Sequence, residues 1–209
     1  MRKLLAIALL VFSWALTASS QETKNELAGT IGRTFIGNQT PPGTTPPNNV
    51  IHFGHGTSFA INYARHLRRY SWAELSVEIP AIFNPDEDLN YGTNQIPLDY
   101  SSFFITPAAR VNLIPDLSIS PWVSFGGGLG HFQASRSLLY FGSNPGPRVK
   151  TTGVLQGGVG FDVRLAKTRR IWFRFEARDD WSGAPPLNID TGRDRQHNYY
   201  VAGGAVFHF

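Results

Sequence analysis

Eight charged residues recur at alternate positions inside runs of otherwise apolar sequence: Glu74, Glu78, Arg110, Asp162, Arg164, Arg174, Glu176 and Arg178. Residues two apart on a strand share a face. Glu74 and Glu78 therefore lie opposite Ala73, Leu75, Val77, Ile79 and Ala81, and Arg174, Glu176 and Arg178 opposite Ile171, Phe173, Phe175 and Ala177. Four acids meet four bases. In a dry interior such groups must pair, because an isolated buried charge costs several kcal/mol. Counted from the nearest short turn, Glu74, Arg110, Asp162 and Arg174 share one level, and Glu78 and Arg178 the next. The expectation is a paired network in which Glu74, Glu78, Arg174 and Arg178 meet. The same groups could instead relay protons or ions, but perturbed pairs are often only structural.

Other constellations are weaker. Asp179-Asp180-Trp181-Ser182 with His197 holds the types needed for a nucleophile, a base and an orienting acid. Separated Ser, His and Asp are common by chance, and a polar strand end explains them as well. His52 and His55 stand three apart, so on one strand they point to opposite faces and cannot chelate together. Gly126-Gly127-Gly128-Leu129-Gly130 lacks the Lys-Ser/Thr that completes a phosphate loop, and reads as small residues making room for bulky neighbours. Asp86-Glu87-Asp88 could bind divalent cations, although a solvated loop is the plainer reading. Asn38-Gln39-Thr40 is a glycosylation sequon too short to carry weight. No metal site and no cofactor is expected.

The elements that must position these groups are strands. Eight runs of period-two alternation lie near 25–36, 51–64, 70–83, 100–113, 118–134, 152–166, 170–181 and 198–209. Connections at 65–69, 114–117 and 166–169 are short. Those at 37–49, 84–98, 136–151 and 182–197 are long and hold most of the Pro, Asn and Asp. Short turns on one rim, long loops on the other and an even strand count are the plan of a membrane-spanning barrel. A water-soluble barrel would carry its apolar residues inside. Aromatic residues fall near both strand ends: Tyr63, Tyr70, Trp72, Trp122 and Trp172 near the short turns, and Tyr91, Tyr100, Tyr140, Trp181 and Tyr199 near the long loops. Two such bands fit interfacial belts.

Composition agrees. Of 209 residues 16% are charged, 13% are aromatic and none is Cys, which excludes disulfide frameworks, thiol nucleophiles and Cys-based zinc sites. Arg2-Lys3, the apolar run from Leu4 to Leu16 and Ala18-Ser19-Ser20 have the layout of a cleavable signal peptide. The expected organisation is a signal peptide at 1–20 and one barrel domain at 21–209. Removing the leader leaves 17 basic against 15 acidic residues, too even a balance for a nucleic-acid surface.

The chain ends Tyr199-Tyr200-Val201-Ala202-Gly203-Gly204-Ala205-Val206-Phe207-His208-Phe209. Gly204, Phe207 and the terminal Phe209 resemble the C-terminal signal of outer-membrane proteins, with Ala202 replacing its usual polar residue. With the eight strands, the mature chain resembles the small OmpA/OmpX-like barrels. The resemblance implies an all-β, eight-stranded, antiparallel up-and-down transmembrane barrel in a bacterial outer membrane, as a monomer. It also implies periplasmic termini, extracellular long loops, and contact with outer-membrane lipid and lipopolysaccharide. The barrel-assembly machinery and periplasmic chaperones would act during biogenesis. It says little about activity, because such barrels serve as adhesins, enzymes and anchors alike. A structural or surface-interaction role without catalysis is the primary expectation. One alternative is a lipid-directed hydrolase like the lipid A deacylases, whose His-x-Ser spacing is absent because Asp180 stands where the His would be. The other is a narrow solute channel.

Overall fold

A computed structural model describes residues 24–44, 49–165 and 170–209. The signal peptide expected at 1–20 and the turn expected at 166–169 lie outside the described residues. The ordered elements are all strands: β1 (Asn25–Ile36), β2 (His52–Phe53), β3 (Thr57–Arg69), β4 (Ala73–Asn90), β5 (Asp99–Ile105), β6 (Ala108–Leu113), β7 (Ile119–Ala134), β8 (Val149–Arg164), β9 (Ile171–Gly183) and β10 (Arg195–His208). β5 and β6 are one wall strand interrupted at Thr106-Pro107. Both pair with β4 on one side and β7 on the other. The ring is β1, β3, β4, β5/β6, β7, β8, β9 and β10, and it closes where β10 pairs with β1. Eight antiparallel strands enclose the interior, as the alternation predicts.

Closure runs to the last residue. The Phe209 N–H donates to the Asn25 carbonyl and the Asn25 N–H to the Phe209 carbonyl, at 2.9 and 3.0 Å. Phe207 and Phe209 stack with ring centroids 6.0 Å apart. Gly204 sits where a Cβ would collide with the Gly29 carbonyl of β1, so the seam needs glycine there.

The two faces differ throughout. Leu27 and Ile31, Phe59 and Ile61, Val77 and Ile79, Phe103 and Ile105, Val123 and Phe125, Val159 and Phe161, Phe173 and Phe175, and Val201 are all exposed outward. They form an apolar band around the whole ring. That much contiguous apolar surface has no place in water, and it is the surface a spanning barrel turns to lipid.

Several boundaries differ from the sequence expectation. The run read as one strand at 51–64 breaks at Gly54-His55-Gly56, and β2 pairs with the far end of β4 instead. A Cβ on Gly56 would strike the Asp86 carbonyl, so glycine permits that close crossing. The expected turn at 65–69 is still strand, because β3 pairs with β4 through Arg69 across a bulge between His66 and Arg68. β4 continues to Asn90, so the loop expected from residue 84 begins seven residues later. The strand expected over 100–113 is broken because Pro107 has no N–H for the ladder. The glycine run of β7 faces that break. A Cβ at Gly126 would meet the Pro107 carbonyl and one at Gly128 the Ile105 carbonyl, so those two make room for backbone. Gly130 alone lies against a bulky lumen ring, Phe104.

Inside, the barrel has two layers. At the long-loop end Ile82, Phe104, Phe132, Val154 and Tyr200 of the wall pack with Ile51, Phe53, Tyr91, Ile96 and Leu187, residues outside the eight-strand wall. The outer segments therefore fold back and cap the lumen with an apolar cluster. Tyr91 and Tyr100, placed by sequence in an interfacial belt, are buried in this cap. Below it the interior is polar.

Candidate functional site

The polar layer is built from inward positions of seven ring strands around one ring system. Trp122 of β7 is 1% exposed, and the guanidinium carbons of Arg110, Arg174 and Arg178 lie 5.8, 5.2 and 5.1 Å from its centroid. The sequence reading put Trp122 in a membrane-interface belt. The phase of β7 corrects this: Pro121, Val123 and Phe125 face outward, which turns Trp122 in. Gly160 on β8 makes the space, since a Cβ there would overlap the indole. Flat guanidinium groups against an indole face gain cation–π attraction while their edges stay free for carboxylates.

Those edges are occupied. Arg178 donates to Glu78 at 2.7 Å and to Glu176 at 2.9 Å. Arg174 grips Asp162 with two parallel bonds of 2.8 and 2.7 Å and reaches Glu26 at 2.9 Å. Arg110 holds Glu26 through both its terminal nitrogens, at 2.5 and 2.6 Å. Neutral groups add to the lattice: Asn62 donates to Glu78 at 2.9 Å and Thr30 to Glu176 at 2.8 Å. Glu78, Arg110, Asp162, Arg174, Glu176 and Arg178 are all buried.

Two members of the expected set lie elsewhere. Glu74 does not meet Arg174; it stands at the short-turn end, 3.3 Å from His66 Nδ1. Arg164 lies at the same end over the Trp172 ring, at 4.7 Å. The equal count of acids and bases also changes. Glu26 and Asp180 join the inward acids and are buried, so inward acids outnumber the four inward arginines. Glu26 escaped the sequence reading because β1 is small or mixed on both faces. Its inward row (Glu26, Ala28, Thr30) carries no apolar contrast.

The hydrolase constellation is not assembled. Ser182 is buried inside, where its Oγ donates to the Gly183 carbonyl and accepts from Asn198, both at 2.9 Å. His197 is on the outer face, with its Nδ1 2.7 Å from Asp179. The sheet stands between Ser182 and His197, so this histidine does not serve the serine as a general base. His52 and His55 are both exposed, and His55 packs on Phe35 instead of facing a second ligand.

Of Asp86-Glu87-Asp88, the flanking acids are exposed and Glu87 is buried on the part of β4 that projects beyond the apolar band. Its carboxylate accepts from Asn84 at 2.9 Å and from the Gly56 N–H at 3.4 Å. Burial, helped by repulsion from Asp88 and Asp86, pushes this carboxyl up to about 7. The folded state thus holds the proton more tightly than the unfolded chain, where the ordinary value of 4.5 applies. The contribution of this group to stability is accordingly fully present at low pH and is lost as pH rises from the lower value through about 7. Glu87→Gln is expected to raise the melting temperature at pH 8 and to change it little at pH 5. Equal shifts at the two pH values would contradict a protonated Glu87.

A ring of eight antiparallel strands, apolar outside, polar inside and sealed from first strand to last, is the fold of the small outer-membrane β-barrels. Solved structures agree. The Neisserial surface protein A structure matches with a TM-score of 0.51 at 11% identity, over 88% of this chain and 97% of that one. The outer membrane protein OprG from Pseudomonas aeruginosa matches with a TM-score of 0.51 at 10% identity, over 90% and 97%. At such identity the likeness is one of fold. No protein-family model and no curated protein matches the sequence.

Proposed function

We propose that this chain is an integral protein of a bacterial outer membrane with a structural or surface-interaction role, closed to solutes and without catalysis. The observation that carries the reading is the apolar band around a lumen filled twice over, by the arginine–carboxylate lattice and by the apolar cap. An eight-stranded barrel has interior room only for side chains, and here large ones occupy it. The outer ends are where chemistry remains available to a partner, since they combine exposed Tyr140 and Phe141 with Arg136 and Arg193. Termini and short turns lie in the periplasm and the long connections outside, the orientation usual for this architecture. Lipopolysaccharide surrounds the outer half, and Gly204, Phe207 and Phe209 serve as the segment read by the assembly machinery.

Trypsin added to intact cells is the test of orientation. Cleavage is expected at the exposed Arg136 and Arg193, with the equally exposed Arg68 and Arg69 spared. Cleavage at Arg68 and Arg69 alone would invert the assignment. Planar bilayers test the closed lumen: the purified protein should add no steady conductance, and a stable ion current would put the narrow-channel reading in its place.

A further inference from the structure

At the short-turn end of the seam, three strands bring together one carboxylate of the lattice, Glu26, and two imidazoles outside it. Glu26 is the second residue of β1 and His208 ends β10, and the two are directly paired in the ladder. His66 comes from β3, on the other side of β1. One ligand atom from each of Glu26, His66 and His208 lies within 4.8 Å of the others. Glu26 Oε2 stands 3.6 Å from His66 Nε2. Neighbouring ligands of a tetrahedral ion with bonds of ~2.0–2.1 Å are separated by roughly 3.3–3.4 Å. The Glu26–His66 spacing thus needs only a small inward movement.

Three further observations point to an ion. His66 Nδ1 is 3.3 Å from the Glu74 carboxylate and 3.0 Å from Ser76 Oγ. A carboxylate behind one ring nitrogen is how metal-ligating histidines are oriented. His208 Nε2 is buried with no hydrogen-bond partner. The histidines also border a cavity of about 290 Å³ lined by Glu74, Asn112, Ser120 and Asp162, which gives a fourth ligand access from the short-turn end.

We propose that Glu26, His66 and His208 bind one divalent transition-metal ion, with Glu74 positioning His66. Two imidazoles and one carboxylate are a donor set that zinc takes, and no thiolate is present to select a softer ion. The ion joins β10, β1 and β3 at the one place where the ring is closed by its chain ends. It acts there as a clasp on the seam, and the site does not depend on the membrane or role assigned above.

The test uses the full folded chain in detergent, stripped with a chelator and titrated with Zn²⁺ against a fluorescent zinc indicator. One equivalent should bind. Glu74→Gln should weaken binding by about 10–100-fold, as loss of an orienting partner does, and His66→Ala should weaken it further. His197→Ala, which alters a histidine on the outer face, should leave affinity unchanged. Heat-modifiable gel migration confirms that each variant is folded, and His66→Gln replaces His66→Ala if the latter fails to fold. Zn²⁺ should also raise the temperature of that gel transition in the parent protein and leave it unmoved in the folded His66 variant. Absence of binding, or affinity unchanged by the His66 substitution, would overturn the proposal.

Discussion

Arg174→Ala is expected to destabilise the folded barrel by about 3–5 kcal/mol, the range for breaking a fully buried ion pair. Arg174 is fully buried, and its two parallel bonds are the only ion-pair contacts to the Asp162 carboxylate among the described residues. Removing the guanidinium leaves that buried carboxylate without its ion-pair partner. Glu26 suffers less, because Arg110 continues to hold both its oxygens. Asp162→Asn in the Arg174→Ala background should therefore recover part of the loss, with a coupling of about 0.5–3 kcal/mol. Glu74→Gln in the same background should recover none. Urea unfolding of the protein in lipid vesicles measures all three. A fully additive Asp162–Arg174 pair would mean that the lumen is wet enough to screen it.

Phe175→Arg carries the second large effect, on the opposite face. Phe175 lies midway along the outward row of β9, half exposed and stacked on Phe161 of β8 with centroids 5.2 Å apart. An arginine at the middle of the apolar band costs about 2–4 kcal/mol, falling to about 0–1 near the interfaces. Gln133→Arg, on the outward row of β7 beyond the band, should cost at most the smaller amount. A soluble barrel would tolerate both changes alike, so similar stabilities for the two variants would argue against a lipid-facing surface.

What was legible in the sequence followed from local periodicity. The alternation of β9, Ile171-Trp172-Phe173-Arg174-Phe175-Glu176, needs no tertiary information to assign its faces, and the burial of that strand follows it. Inward placement of Glu78, Arg174 and Arg178 came from the same rule. The partners did not. Whether Arg174 meets Glu74 or Asp162 depends on strand tilt and stagger, which shift levels between neighbouring strands and leave no trace in a single chain. Trp122 was misplaced because distance from a turn was weighed above strand phase, although Pro121 and Val123 already carried the phase. The apolar cap was invisible for another reason. Ile51, Ile96 and Leu187 lie in three different connections, and their apolar character acquires meaning only once the ring gathers them over one opening. The Glu26–His66–His208 cluster is the extreme case. Its members come from a strand start, an apparent turn and the terminal segment, so no spacing motif could have joined them.

The absence of native cysteine gives a direct test of the central claim, that an apolar-faced barrel spans a bilayer around a filled lumen. Single cysteines at positions 171 to 178 of β9 can each carry a nitroxide, with the protein reconstituted in lipid vesicles. Collision with dissolved oxygen, which concentrates in lipid, and with a water-soluble nickel chelate is then read by electron paramagnetic resonance. The predicted result is a period-two pattern: odd positions meet oxygen and exclude the chelate, most strongly at 175, while even positions are shielded from both. Chelate access at the odd positions, or no alternation along the strand, would contradict it.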